Sequence, residues 1–573
     1  MKTAPNRALW PLLIAMLTFL VGFASPLKGA GTWTALPSAP AGISLMVLLS
    51  DGSVMAFRSG TNKVIYKLTP NAQGHYTTGT WSTLTSMFDT RLYFATQVLK
   101  DGRVFVAGGE YGTGMYEGET YNPLTNQWIK APSSSQRFSD ANSGILPDGR
   151  VIVALVTGNL KGNTMFNPAT NTWSTAPSCN GMHNESAWAK LPDNSILMVA
   201  RDSQSSERYI PSSNTWITDA SVPVTLYDPY GSETGGAIQL PNGKVFFLGS
   251  LGLNAIYTPS GSTANGTWVA AATTPNSSGA PDAPMCILPN GKVLCAVSPV
   301  PTSANHFPSP TTFYEYDYVT DSWAAAPTPG GTQNHASYYG TMLVLPDGTA
   351  LYSSFSSTVY SYQHDGSVVT AGKPVISSVT QNADGTYHLV GTQLNGWSEG
   401  SSYGDDNQNS TNYPIIKLAA TSGTNVYYAR SFNWSNTNVV TGASAVSTEF
   451  HVPSTVPAGT YDLSVVANGI ASDPVSFSRN PIVVTLPASV TEGGAATSGT
   501  VTLPSAATSA MTVTITSGNT TKATVGTASV AEGSTTGSFT ITPGDDAVND
   551  GDQAVTITAS ARRSLTEPSG LNA

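Results

Sequence analysis

Charge is scarce in this chain. Asp, Glu, Lys and Arg make up 10% of its 573 residues, and the formal net charge is −10. No basic stripe exists to neutralise phosphates, which excludes a nucleic-acid partner. Cysteine is limited to three residues, too few for a disulfide framework. Beyond the N-terminal region, no segment approaches the roughly 20 apolar residues that a membrane-spanning helix needs. His-x-x-x-His and Cys-x-x-Cys spacings are absent, so no compact metal motif is present. Gly-x-Ser-x-Gly is absent as a nucleophile elbow after a strand.

What is present begins with Lys2 and Arg7, followed by an apolar stretch from Ala8 to Phe23 and small residues at Gly22 and Ala24. This pattern predicts a secretory signal over 1–24, cleaved near Ala24-Ser25, and hence a secreted or cell-surface protein. No cysteine follows the apolar run to carry a lipid anchor. An exported protein has access to oxidation. A two-residue turn at Asn290-Gly291 would set Cys286 opposite Cys295, as a disulfide or as two buried thiols.

Gly, Ser, Thr, Asn and Pro are abundant, and two short signals recur. Turns stand at Asp51-Gly52, Asp101-Gly102, Asp148-Gly149, Asp193-Asn194, Asn242-Gly243, Asn290-Gly291 and Asp347-Gly348, each flanked by apolar runs. Tryptophans stand at Trp33, Trp81, Trp128, Trp173, Trp216, Trp268 and Trp323. Both series step by roughly 43 to 57 residues, the length of a four-stranded propeller blade. Asp-Gly between apolar runs signals a hairpin. Trp33 precedes the first turn, and no tryptophan trails the last. The strand at Thr32-Trp33 is therefore expected to complete the blade of residues 337–364 and close the ring. The fold class is all-β: a seven-bladed propeller over 31–370, then β-sandwich modules over 374–478 and 481–573.

These repeats resemble the kelch family, in particular its secreted branch that includes galactose oxidase and glyoxal oxidase. Residues 374–478 look like the immunoglobulin-like module that follows the propeller in those oxidases, and Gly404-Asp405-Asp406 and Asn412-Tyr413-Pro414 match a motif of that module. Val490-Thr-Glu-Gly-Gly and the run from Asp545 resemble an incomplete Calx-β module. There Glu492, Asp545, Asp546 and Asp550 are candidates for calcium, or form a solvated acidic turn.

The resemblance implies one copper held by two histidines and two tyrosines, with a cysteine cross-linked to the radical tyrosine. Counting from the repeat turns, Tyr338 keeps one tyrosine and Tyr339 stands where a histidine is expected. The cysteine position falls near Tyr93, the radical tyrosine near Asp140 and the late histidine near Phe432. The ligand set is thus replaced, and copper is not expected.

In a propeller, the segments leading into each inner strand converge at one end of the ring. Here they carry Arg91, Tyr93, Arg137, Asp140, His183, Glu185, Tyr230, Glu233, Asp282, His335, Tyr338 and Tyr339. Carboxylates and amides would bond sugar hydroxyls, tyrosines would stack on sugar faces, and arginines would take acidic groups. The same polar residues also serve to tie blades together. His183, Glu185 and His335 offer a metal alternative, but from separate blades. Glu185 with Glu233 or Asp282 would suit a glycan hydrolase. The Ser-x-Asp-x-Gly-x-x-Trp boxes of sialidase propellers are absent. The expectation is a monomeric, non-catalytic exported protein that binds glycans or a surface partner at this mouth. A divergent copper oxidase is the alternative, and a hydrolase is the third.

Overall fold

The computed structural model describes the chain apart from residues 2–30, 139, 141, 383, 404–406, 480–481, 504–505, 508, 546–550 and 562–573. The expected signal, the Gly404-Asp405-Asp406 motif, Asp546 and Asp550 therefore lie outside the described residues, Met1 excepted. Regular structure is almost wholly β, with short 3-10 turns at Pro275–Ser277 and Ser337–Tyr339. No helix among the described residues is long and apolar enough to cross a membrane.

Each sequence repeat contributes four antiparallel strands to one sheet, and the sheet that contains Met285–Ile287 gains further strands. Ile43–Leu48, Val54–Arg58, Ile65–Thr69 and Thr80–Leu84 pair in that order, and six further sheets repeat the plan. The turn residues explain the repeat. In all seven, the Asp or Asn side chain accepts the backbone N–H two residues on, as Asp51 Oδ1 does from Ser53 at 3.0 Å and Asp347 Oδ1 from Thr349 at 3.2 Å. The next position has a positive φ, 74° at Gly52 and 69° at Asn194, which glycine and asparagine tolerate. The tryptophans link neighbouring blades. Trp33, Trp81, Trp128, Trp173 and Trp323 each donate Nε1–H to a carbonyl in the chain leaving the previous blade, at 2.7 to 3.1 Å. Thr32–Ala35 pairs with Tyr360–Gln363, setting Trp33 opposite Tyr362 and joining the two ends of the ring.

The Cys286–Cys295 pairing does not form, and both thiols are free and buried. The register sets Cys286 opposite Leu294 and Cys295 opposite Met285. Three residues, Pro289, Asn290 and Gly291, connect the strands instead of two, with Leu288 N–H donating to Lys292 O and Gly291 at φ 86°. A one-residue slip turns a side chain to the other face of the sheet. Cys286 therefore packs with Met342 and Tyr352, and Cys295 with Tyr314 and Ile470.

Eight strands within residues 375–479 form one antiparallel sheet that docks on the Asp-Gly turn face of the ring. Thr437 Oγ1 donates to Leu146 O at 3.2 Å, and Asn438 Nδ2 to Pro192 O at 2.6 Å. Tyr413 donates to Leu48 O and stacks on Trp434 at 4.7 Å. The hairpin Ser401–Tyr403 with Asn407–Gln408 enters the ring. It pairs with Met285–Ile287, and its Asn409 donates to Met342 O at 3.0 Å and its Gln408 to Trp188 O. Burial pulls the Lys190 ammonium down and pushes the Glu399 carboxyl up where the two modules meet, each opposed by the other's charge. The last module has two small sheets over a core of Val501, Val513, Ile515, Phe539 and Ile541. Glu492 lies 4.0 Å from Lys522, and the Asp545 carboxylate flanks Gly493.

Candidate functional site

The second module covers the turn face, so the opposite end of the ring is the open mouth. It is built by the segments before each inner strand and by the loops that follow the second strands. Several of its residues hold a backbone that L side chains rarely adopt. Tyr93, Glu185, Ser232, Asp282 and Phe355 have φ of 52°, 57°, 65°, 47° and 58°. Such geometry costs about 1–3 kcal/mol per residue and clusters at functional sites. Thr234 ties three blades there. Its hydroxyl accepts from Ala187 N–H at 3.1 Å and donates to Glu185 O at 3.3 Å, while its carbonyl accepts from Asp282 N–H at 3.0 Å. This stitch fixes the backbone at Glu185, Glu233 and Asp282 across the three blades.

Aromatic rings line the mouth in an unbroken arc. Tyr111 meets Tyr93 at 6.5 Å between centroids, and Tyr93 stacks on Phe355 at 6.1 Å. Phe355 meets Tyr339 at 5.1 Å, Tyr339 meets Tyr338 at 4.4 Å, and Tyr338 meets Phe307 at 4.9 Å. On the rim, Tyr230, 45% exposed, stacks on His306 at 6.0 Å. Burial, a hydrogen bond to Tyr339 and the nearby Asp282 charge all raise the Tyr338 phenol. Burial and the adjacent Asp140 push the Glu110 carboxyl up, against a hydrogen bond from Tyr111.

Two expected ligand-binding residues are structural instead. The Arg91 guanidinium is fully buried, paired with Glu119 at 2.9 Å and donating to the carbonyls of Gly108, Gly114 and Glu117. His183 is 1% exposed between Trp188 and Trp216, with Nε2 on Gly162 O at 2.7 Å. Burial drops its pKa to about 4, against the raising effect of that hydrogen bond. Arg137 and Asp140 are half-buried on the mouth side. Glu110, Tyr111, Phe307 and Phe355 are mouth residues that the lead-in segments do not contain. Their signal is aromatic and acidic residues in the return loops, as after Gly108-Gly109.

The donors do not fit the two imidazoles and two phenols of a copper oxidase. His335 holds Ala336 O with Nδ1 at 2.9 Å and Gln333 Oε1 with Nε2 at 2.7 Å. Phe432 lies in the second module with the Arg430 guanidinium 5.1 Å from its ring centroid. Phenols and carboxylates dominate the mouth.

Among solved structures, the chain is similar to a fungal alcohol oxidase of the AA5 family in complex with copper. The identity is 15% and the TM-score 0.49, over 78% of this chain and 99% of that one. It is also similar to virginiamycin B lyase from Staphylococcus aureus, at 10% identity and TM-score 0.40, over 58% of this chain and 99% of that one. No curated protein matches it. Residues 92–135, which span all four strands of one blade, match the Kelch motif, and the ring is a β-propeller carrying that repeat.

Proposed function

We propose that this is an exported, non-catalytic propeller that binds carbohydrate at its open mouth. The observation that carries this reading is the aromatic arc from Tyr111 to Phe307, beside the carboxylates of Glu110, Asp140, Glu185, Glu233 and Asp282. Rigid phenol faces stack on the apolar faces of sugars, and carboxylates accept hydrogen bonds from their hydroxyls. The left-handed backbone at Tyr93, Glu185 and Asp282 holds these groups in place before a ligand arrives. The immunoglobulin-like and Calx-β-like modules act as spacers behind the closed face.

A glycan array with the mature chain tests this. We expect selective binding that is lost in the combined variant Glu185→Gln, Glu233→Gln and Tyr338→Phe, with an unchanged melting temperature. Retained affinity in that variant would move recognition to the later modules. Binding to no glycan would remove the reading.

A further inference from the structure

Where the propeller meets the second module, an amine, a carboxamide and a carboxyl share one buried nest. Lys190 ends an inner propeller strand, and Glu399 and Asn412 flank the hairpin that enters the ring. All three are buried, as is Thr437. The carbonyl of Thr437 accepts from Lys190 Nζ at 3.0 Å and from Asn412 Nδ2 at 3.3 Å. Amine and carboxamide therefore meet on one oxygen. The Glu399 carboxyl accepts from the Lys190 backbone N–H at 3.1 Å, and the Glu399 carbonyl accepts from the N–H of Thr411, next to Asn412, at 2.6 Å. Asn395 Nδ2 donates to the Asn412 carbonyl at 3.1 Å, which fixes the backbone behind the carboxamide. Burial disfavours both the ammonium and the carboxylate. Passing the proton from one to the other removes both charges. A neutral amine has two N–H bonds and one lone pair. Lys190 Nζ directs its bonds to Thr437 O and, at 2.8 Å, to Ile145 O, which leaves the lone pair for bonding.

We propose that Lys190 and Asn412 join through an isopeptide bond, with Glu399 as the proton carrier, so that propeller and second module become one covalent unit. The lone pair of Lys190 Nζ attacks Asn412 Cγ, the Nζ–Cγ bond forms and the Cγ–Nδ2 bond breaks. Glu399 takes a proton from Nζ and delivers one to Nδ2, which leaves as ammonia, and the carboxyl ends in the protonation state in which it began. Ammonia is the sole by-product, and no co-reactant is consumed. A buried amine without its charge is a nucleophile, and two reacting groups held on one acceptor react as though highly concentrated. The assignment is independent of what the mouth binds.

Mass spectrometry of a tryptic digest of the full chain distinguishes the outcomes. The expected result is a branched peptide in which Lys190 resists trypsin and is joined to Asn412, with a mass lower by one ammonia than its two arms together. Glu399→Gln, whose amide oxygen can still accept the Lys190 N–H, is expected to lose that peptide while still unfolding cooperatively. Recovery of both arms as separate, unmodified peptides from the folded wild-type chain overturns the proposal. A branch from Lys190 to any other residue overturns it as well. The branched peptide at wild-type yield in Glu399→Gln overturns the role of Glu399.

Discussion

The backbone N–H of Lys190, on an inner propeller strand, donates to the Glu399 carboxylate of the following module at 3.1 Å. The Lys190 ammonium in turn reaches Ile145 O in the next blade at 2.8 Å and Thr437 O in the module at 3.0 Å. One residue therefore joins two blades and the second module in a buried site. Removing the ammonium leaves two buried carbonyls without their donor, at about 1–3 kcal/mol for each group left unsatisfied, and takes away the charge that opposes burial of Glu399. Lys190→Met is expected to lower the urea midpoint accordingly and to open the 364–375 connection to protease. A change below about 1 kcal/mol would show that the docking does not depend on it.

His183 gives a pH signature. Its folded pKa is depressed from 6.5 to about 4, so the unfolded chain binds more protons between those values. The stability it contributes is present above pH 6.5 and lost as pH falls through about 4. At 1.36 kcal/mol per unit, the span is about 3 kcal/mol. His183→Gln, which keeps a donor for Gly162 O, is expected to flatten the stability profile across this window. An unchanged slope in thermal unfolding would sink the assignment.

All three thiols are expected to react with a thiol reagent only after unfolding, with or without prior reduction. Burial raises each of them, Cys179 to about 12 and Cys286 and Cys295 beyond the ordinary range. One thiol in the unreduced, unfolded protein would restore the Cys286–Cys295 bond.

Arg91 and Tyr93 are two residues apart and should behave oppositely. Arg91→Met leaves the buried Glu119 without its counter-charge, and a loss of about 3–5 kcal/mol is expected. Tyr93→Ala is expected to weaken glycan binding at least tenfold with a smaller loss of stability. Similar profiles for the two variants would dissolve the distinction between blade and mouth.

Copper reconstitution completes the set. With His335 held by Ala336 O and Gln333 Oε1, we expect no stoichiometric copper and no hydrogen peroxide from sugars or aldehydes. One tightly held copper with peroxide release would make the protein an oxidase.

The blades were legible because their markers are local chemistry. An Asx side chain that accepts two residues on marks every repeat, and a tryptophan that bonds to the chain leaving the previous blade marks five of the seven. The cysteine register was not legible, because Asn-Gly occurs in two-residue and three-residue hairpins alike and one residue decides which face Cys286 takes. Arg91 and His183 stand in the expected segments, but their direction depends on Glu119 and on Trp216, partners distant in sequence. Phe307 and Phe355 carry no such marker, because they lie on return loops, whose lengths the repeat does not fix. The hairpin that enters the ring is polar and short, and nothing in its composition announces that it will be surrounded by inner strands.

The strand pairing between Thr32–Ala35 and Tyr360–Gln363 also sets the order of events in biogenesis. Thr32–Ala35 has no partner until nearly the whole propeller has been made. Its tryptophan, Trp33, waits equally long for Phe313 and Tyr352. Non-local pairings of this kind slow folding. The ring cannot lock before its last blade arrives, and the export proposed above would gain from that delay.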